Sequence, residues 1–491
     1  MTGKKVGIED MAAYAPRHYL DMREFERRRG IREGHVTDII GINQMAVLDA
    51  HEDAVTMGSN ALLRVMRRNG TRPRDLDSIY VGTESVDNKS QSVALRVKSN
   101  LGQVFGENPM MHVGAIDFVQ ACIGGTYAVE NSCAWVSKGH SAAANGGNSA
   151  WSRFRGMVER LLEIARLRAA SDHTGDNVVG AIAVDYARYP FLGVEEQTQG
   201  AVAVAMLIKK GARLLAFEPG VGKASGYGWG WHKPLDTEYP VNNPDRSIAE
   251  YLHGMKMAYL QWVPAFLKGS HIRLRPGEAP TDYIDYAAFH QPNAKMVSDA
   301  VAYLFMHEWR DLPRWQQIEA SLGTLPPRRD YTIEELMGKE YKEYRRKFTA
   351  TPQFQRAYNV KVLPTTLAGR RIGNGYAGSV WADMAGFAET EGRKTDLTGR
   401  RFAYASYGSS WSAAIGTGIF QEGYREVANG MDFFPMLDSR IGLSFEEYER
   451  LHEYKRGEGA SLRPPEGGEF GISGVRKGKE GYGHRDYRFY E

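Results

Sequence analysis

Four polar residues each follow an apolar run where the chain turns: Glu84, Cys122, His290 and Asn374. A thiolate can take up an acyl group, and a carboxylate in a dry pocket can act as a general base. A neutral histidine and an asparagine can donate hydrogen bonds to a developing oxyanion. Each signal is weak alone, because a lone histidine is usually structural and an asparagine between glycines usually makes a turn. If the fold brings the four together, they predict acyl-transfer chemistry.

Cys122 is the central candidate because it ends the apolar run 113–121 and is followed closely by Gly124 and Gly125. We predict that a strand delivers Cys122 to the start of a helix, whose N-terminus lowers the pKa of a thiol. The glycines let backbone amides and a substrate approach closely. The pattern therefore favours a nucleophile, and the alternative is a small buried hydrophobe.

The elements that position these residues alternate between helices and strands. Strand-like segments that end near the candidate residues are predicted at 76–81, 283–289 and 402–406, and a further strand is predicted to run to Cys122. Helical spacing predicts helices at 53–69, 91–100, 126–137, 248–266 and 294–305. Runs at 178–184, 201–208 and 214–217 are apolar on both faces, which is typical of central strands in a covered sheet. The fold class is α/β, in layers.

The chain divides into two α/β halves and a tail. Residues 1–210 form a first half with Glu84 and Cys122, and residues 211–425 form a second half with His290 and Asn374. An insertion is predicted at about 138–173, including a basic amphipathic helix at 154–168. Residues 426–491 form a C-terminal extension, whose Gly-rich and charged part beyond about residue 453 we expect to be less well ordered.

Composition excludes several classes of function. The 491 residues are 42% hydrophobic, and 62 Lys and Arg balance 59 Asp and Glu, so a nucleic-acid partner is not expected. Two cysteines are too few for a disulfide scaffold or a cysteine-based zinc site, and they suit a reducing cytoplasm. We find no leader-like apolar segment and no run approaching the roughly 20 residues of a membrane span. A cytoplasmic protein without a membrane partner is predicted.

Several segments resemble, in order, the signature segments of the 3-hydroxy-3-methylglutaryl-CoA synthase family. They are residues 81–90, 121–126, 185–189, 198–200, 238–240, 289–295, 373–376 and 406–409. The resemblance runs from about Lys5 to about Phe420. It implies the thiolase fold, in which two duplicated βαβαβαββ halves pack in a five-layered αβαβα arrangement, usually as a homodimer.

The resemblance also implies the reaction. Cys122 would take an acetyl group from acetyl-CoA, and Glu84 would remove a proton from its methyl group. The enolate would attack acetoacetyl-CoA held by His290 and Asn374, and water would release 3-hydroxy-3-methylglutaryl-CoA for isoprenoid synthesis by the mevalonate pathway. No metal and no cofactor is implied, since the CoA thioesters are substrates. The implied substrate- and CoA-binding residues are Asp185, Tyr189, Thr198, Ser247, Lys295 and Ser409, with Lys295 facing CoA phosphate.

Four departures from the family pattern affect the pocket. Ile123 replaces an aromatic residue, Gly230 stands where the family often has an aspartate, Ser410 replaces a glycine, and residues 241–247 differ from the usual Val-Asp-Gly-Lys-Leu-Ser. We expect Ile123 to contribute to any unusual acyl preference. Two alternatives follow: an enzyme of polyketide β-branching whose basic helix at 153–168 docks an acyl carrier protein, or a non-catalytic subunit of an acyl-CoA complex. A thiolase is a further expected partner.

Overall fold

The computed structural model describes residues 4–138, 177–234, 237, 239–322, 331–453, 459–478 and 483–491, so the predicted insertion and its basic helix lie outside the described residues. The strands are β1 (Val6–Tyr14), β2 (His18–Asp21), β3 (Gln44–Val47), β4 (Leu76–Gly82), β5 (Gly114–Phe118), β6 (Val178–Ala187), β7 (Gly200–Lys210), β8 (Leu215–Phe217), β9 (Gly222–Ala224), β10 (Trp231–His232), β11 (Val241–Asn242), β12 (Tyr286–Phe289), β13 (Arg401–Gly408), β14 (Ser412–Phe420), β15 (Ile441–Gly442), β16 (Glu469–Val475) and β17 (Arg485–Tyr490).

The helices of the described residues are α1 (Met22–Arg29), α2 (Ala54–Asn69), α3 (Val93–Phe105), α4 (Glu107–Met110), α5 (Gly124–Lys138), α6 (Pro244–Gly269), α7 (Ala294–Trp309), α8 (Arg314–Leu322), α9 (Ile333–Met337), α10 (Lys339–Thr349), α11 (Pro352–Lys361), α12 (Gly369–Ile372), α13 (Ser379–Thr390), α14 (Tyr424–Gly430), α15 (Phe433–Asp438) and α16 (Phe445–Glu453). Asp53 caps α2 through the backbone N–H of Thr56, and Gly70 ends it with a left-handed φ of 68°. No helix in this part of the chain is long and apolar enough to cross a membrane.

The main sheet has the strand order β12-β13-β14-β8-β1-β7-β6-β4-β5, and β9 pairs with β14. In the first half, β4 and β6 are parallel, while β6 with β7 and β7 with β1 are antiparallel. In the second half, β12, β13, β14 and β8 repeat the same sequence of one parallel and two antiparallel pairings. The pairing of β1 with β8 joins the halves. The repeated order is the duplication that the family resemblance implies.

Helices cover both faces of the first half-sheet. Successive residues of a strand point to opposite faces, so helices that contact neighbouring residues of β6 lie on opposite sides of the sheet. A Cβ at Gly58 of α2 would contact Ile182 and Val184, while one at Gly125 of α5 would meet Ala183, the residue between them. Helix α13 packs against β1 and β7 on one side and against β12 and β13 on the other. Helices α6 and α7 pack with the second half-sheet in a separate apolar cluster. The layers are therefore helix, sheet, helix, sheet, helix.

The C-terminal tail is better ordered than we predicted from its composition, in the part that the structure describes. Strands β16 and β17 form an antiparallel hairpin against α2 and α3. Phe470 is buried, and its backbone exchanges hydrogen bonds with the side chain of Asn60. Arg485 pairs with Asp53 at 2.9 Å. The expectation missed these contacts because they join residues more than 400 positions apart.

Candidate active site

Glu84 lies in the turn that follows β4, and Asp185 of β6 holds that turn in place. One carboxylate oxygen of Asp185 accepts hydrogen bonds from the hydroxyl of Thr83 and from the backbone N–H groups of Glu84 and Ser85, at 2.8 to 2.9 Å. Its other oxygen accepts from the backbone N–H of Ala377 at 3.0 Å. Burial raises the pKa of Asp185 to about 6, although these hydrogen bonds lower it. Asp185 therefore positions Glu84.

Cys122 lies beside Glu84 because backbones meet closely at two glycines. A Cβ on Gly82 at the end of β4 would fall 2.2 Å from the carbonyl carbon of Gly124, so no larger residue fits there. This approach brings the loop before α5 against the turn after β4. The thiol Sγ of Cys122 donates to Oε1 of Glu84 at 3.3 Å.

The prediction that a strand delivers Cys122 directly to a helix start is wrong in detail. Strand β5 ends at Phe118, four residues earlier, and α5 begins at Gly124. Ala121 has a φ of 44°, a left-handed conformation that is costly for a residue with a Cβ. A strained loop, which begins where β5 stops pairing, therefore carries the cysteine.

The electrostatic expectation for Cys122 is also wrong. Burial raises the pKa of the thiol well above its usual value, and the carboxylates of Glu84 and Asp185 raise it further. Burial likewise raises the pKa of Glu84, with the charge of Asp185 as the second cause. The resting site therefore disfavours the thiolate.

Aromatic side chains form the wall around Cys122. The cysteine packs with Ala187, Tyr189 and Tyr376, and Trp231 lies against this cluster. The Trp231 indole donates to the Tyr189 hydroxyl at 3.3 Å, and the Trp231 and Tyr376 ring centroids are 5.6 Å apart. Such a wall limits the access of water to a thioester formed on Cys122.

His290 follows β12 directly and is buried with a neutral ring. Its backbone N–H donates to the carbonyl of Ala405 at 2.7 Å, which fixes it beside β13. Ring atom Nδ1 lies 2.8 Å from the hydroxyl of Ser379, which accepts from the backbone N–H of Gln291. The hydroxyl hydrogen is then directed to Nδ1, so we assign the ring proton to Nε2. Burial lowers the pKa of His290 to about 3.

Tyr407 of β13 links His290 to the cysteine side of the site. Its ring centroid lies 6.1 Å from that of His290. The next residue, Gly408, meets the residue that follows the cysteine: a Cβ on Gly408 would fall 2.9 Å from the backbone nitrogen of Ile123. The second half of the chain thus contributes to the same site as the first.

Asn374 is held by residues on both sides of it. Its side-chain Oδ1 accepts from the backbone N–H of Tyr376 at 3.0 Å, and its own N–H donates to the carbonyl of Thr198 at 3.1 Å. The amide Nδ2 of Asn374 is then the atom that could donate to a ligand. The Thr198 hydroxyl donates to the Glu195 carbonyl at 2.8 Å, so Thr198 acts here through its backbone.

The other predicted binding residues lie on α6, on α7 and in the turn after β13. Ser247 is in the first turns of α6, next to Gly230. Lys295 is half exposed and pairs with Asp299 on its own helix at 2.8 Å. Ser409 lies in the turn between β13 and β14.

Ile123, predicted to affect acyl preference, is fully buried. Its γ2 methyl group lies 2.9 Å from the place where a Cβ on Gly408 would stand. Ile123 therefore packs beneath the end of β13, and the aromatic wall of the pocket is built from other residues.

Sequence analysis missed Trp231, Tyr376 and Ser379 as site residues. Tyr376 and Ser379 follow the Gly-Asn-Gly segment closely and could have been found by that position. Trp231 directly follows Gly230, which we noted as a departure from the family pattern, but no spacing in the sequence points from Trp231 to Cys122.

Comparisons with known proteins agree across the chain. Residues 2–150 match the family model described as hydroxymethylglutaryl-coenzyme A synthase N terminal, and residues 223–459 match the corresponding C-terminal model. A hydroxymethylglutaryl-CoA synthase of Haloferax volcanii is 28% identical over 450 residues, which are 91% of each chain. One of Gibberella zeae is 28% identical over 464 residues, covering 92% of this chain and 90% of the relative.

The structural comparison gives the same result. A solved structure of MvaS in complex with 3-hydroxy-3-methylglutaryl coenzyme A has a TM-score of 0.78 and 25% identity, covering 99% of this chain and 100% of that one. The predicted thiolase fold and the predicted class of condensing enzyme are thereby confirmed. The chain belongs to the hydroxymethylglutaryl-CoA synthase family.

Proposed function

We propose that this chain condenses acetyl-CoA with acetoacetyl-CoA to 3-hydroxy-3-methylglutaryl-CoA, with Cys122 as nucleophile and Glu84 as general base. The observation that carries the assignment is the 3.3 Å contact between the Cys122 thiol and the Glu84 carboxylate, inside an aromatic wall. Family membership supplies the reaction, and the geometry supports the roles of the two residues.

In the first step, Sγ of Cys122 attacks the thioester carbonyl of acetyl-CoA. The bond from the acetyl carbon to the CoA sulfur breaks, and the thiol proton ends on the departing sulfur. The product is acetyl-Cys122 and free CoA. Burial and the carboxylates of Glu84 and Asp185 raise the pKa of the thiol, so the attack starts from the thiol, and its proton leaves Sγ as the bond to the acetyl carbon forms.

In the second step, the Glu84 carboxylate removes a proton from the acetyl methyl group. The resulting enolate carbon attacks the ketone of acetoacetyl-CoA, and the ketone oxygen becomes an alkoxide that takes the proton back from Glu84. The neutral ring of His290, protonated at Nε2, and the amide of Asn374 donate hydrogen bonds to the acetoacetyl thioester.

In the last step, water hydrolyses the thioester to Cys122, which releases the product and regenerates the thiol. These steps move protons and an acyl group and change no oxidation state, so a redox cofactor has no part in the proposed reaction. A steady-state assay with the two CoA thioesters tests the proposal. Equal or better turnover of the CoA thioesters than of carrier-linked ones excludes the carrier-protein alternative, whose basic helix lies outside the described residues.

We expect the pH dependence of condensation to follow Glu84. A base must be ionised, and burial raises the pKa of Glu84, so the rate should rise with pH through a midpoint above the ordinary value of about 4.3. His290 should add no midpoint near neutrality, since its pKa is lowered to about 3. The measurement is the pH profile of condensation by pre-acetylated enzyme. A midpoint that disappears in His290→Asn, while that variant still turns over, would contradict this assignment.

The predicted binding residues divide into two groups in this proposal. Tyr189 contacts the acetyl group at the aromatic wall. The other two residues act through their neighbours: Asp185 positions Glu84, and Thr198 positions Asn374. On the family resemblance, Ser247 and Ser409 lie near the acyl groups, and Lys295 meets the CoA phosphate. We also propose that the chain divides into its two halves near residue 210, between β7 and β8. A cytoplasmic location is proposed as well.

A homodimer is proposed through β5, which is the last strand of the main sheet. Its residue Ile116 is 50% exposed and the adjacent Val119 is 57% exposed, an apolar strand edge that pairing with a second copy would cover. Sedimentation of the wild-type chain should give a dimer, and Ile116→Lys should shift it toward the monomer. The wild-type chain sedimenting as a monomer would contradict the proposal.

A further inference from the structure

Glu250 of α6 holds the loop that carries Trp231. The side chain is fully buried, and its carboxylate accepts from the backbone N–H of Trp229 at 3.2 Å and from that of Gly230 at 3.1 Å. Arg246, one turn earlier, donates to the same carboxylate at 2.9 Å and stacks its guanidinium 4.4 Å from the Trp229 ring centroid. Hydrogen bonds to a buried charge are among the stronger contacts in a protein.

The loop fits around this carboxylate because its residues there are glycines. A Cβ on Gly228 would fall 2.6 Å from the carboxyl carbon of Glu250. One on Gly230 would fall 2.7 Å from the backbone nitrogen of Ser247 and 2.8 Å from Oε2 of Glu250. Position 230 therefore admits no side chain while Glu250 and the start of α6 keep their places.

The next residue along the loop, Trp231, contacts side chains that surround the Cys122 thiol. Its indole donates to the Tyr189 hydroxyl, and its ring packs on Tyr376 in the cluster that contains Cys122. A continuous set of contacts therefore runs from Glu250 through the loop backbone to the acyl pocket.

We propose that Glu250 is a positioning residue, which holds the loop backbone at Trp229 and Gly230 from α6 and thereby fixes Trp231 over acetyl-Cys122. The inference rests on the proposed role of Cys122.

The test measures acetylation of Cys122 by labelled acetyl-CoA in Glu250→Ala and Glu250→Gln. Glu250→Ala should lower the maximal acetylation rate about tenfold or more, with little change in KM, because Trp231 packs at the thiol. Glu250→Gln should recover much of this loss, because its amide oxygen can still accept from the loop N–H groups. Glu334→Ala is the matched control: it removes the exposed carboxylate 3.4 Å from Arg246 and should acetylate at the wild-type rate.

Wild-type acetylation in Glu250→Ala, or acetylation by Glu250→Gln that is no faster than by Glu250→Ala, would overturn the proposal. A loss of equal size in Glu334→Ala would do the same. If wild-type Cys122 takes up no acetyl group, the proposed function itself fails, which is a different result.

Discussion

Glu84→Ala should lose condensation and keep acetylation. The base that forms the enolate is gone, which costs about two to four powers of ten in rate. Acetylation should persist, since removing the Glu84 carboxylate takes away a cause of the raised pKa of Cys122. Labelled enzyme should accumulate with acetyl-CoA and turn over slowly when acetoacetyl-CoA is added.

The stability of Glu84→Ala serves as the control. Burial raises the pKa of Glu84 in the folded chain, so the unfolded chain ionises first and the folded wild type loses stability as the pH rises from about 4.3 toward the raised value. The variant lacks this loss, and its Tm at neutral pH should equal or exceed that of the wild type. A strongly lowered Tm, or condensation at the wild-type rate, would count against Glu84 as base.

Asp185→Ala should have the second large effect, on stability and on condensation together. The substitution leaves four donors without their acceptor: the Thr83 hydroxyl and the N–H groups of Glu84, Ser85 and Ala377. Buried unsatisfied donors cost about 1–3 kcal/mol each, so we expect unfolding to become easier by about 3 kcal/mol or more. Denaturant unfolding at pH 7 is the measurement.

Asp185→Asn separates charge from hydrogen bonding. The amide oxygen can still accept from the Glu84 turn, so this variant should unfold later than Asp185→Ala. The pKa of Asp185 is raised to about 6, so the unfolded chain loses the proton first and wild-type stability should fall between about pH 4 and that value. Asp185→Asn should not show that fall. Equal stability of Asp185→Ala and wild type would refute the positioning role.

Local sequence patterns correctly predicted the elements that carry the site. Helix α2 ends at Gly70 as predicted, and Glu84 and His290 do follow strands β4 and β12. These outcomes depend on short-range spacing and on breakers, which a single sequence displays. The family resemblance then identified the fold and the reaction, and the comparisons confirm both.

Long-range contacts explain what could not be predicted. The raised pKa of Cys122 comes first from burial, which no local pattern reveals, and then from the charges of Glu84 and of Asp185, which lies 63 positions away in the chain. Glu250 accepts a hydrogen bond from the loop that carries Trp231, and Trp231 donates to Tyr189. The ordered tail and the buried position of Ile123 have the same origin, since partners that meet only in the fold decide them.

Peptide mapping after incubation with labelled acetyl-CoA tests the central claim most directly. We predict that the label is found on the peptide containing Cys122 in the wild type and in Glu84→Ala, that it is absent in Cys122→Ala, and that acetoacetyl-CoA discharges it rapidly in the wild type alone. Label on another residue, or undiminished labelling of Cys122→Ala, would contradict the account.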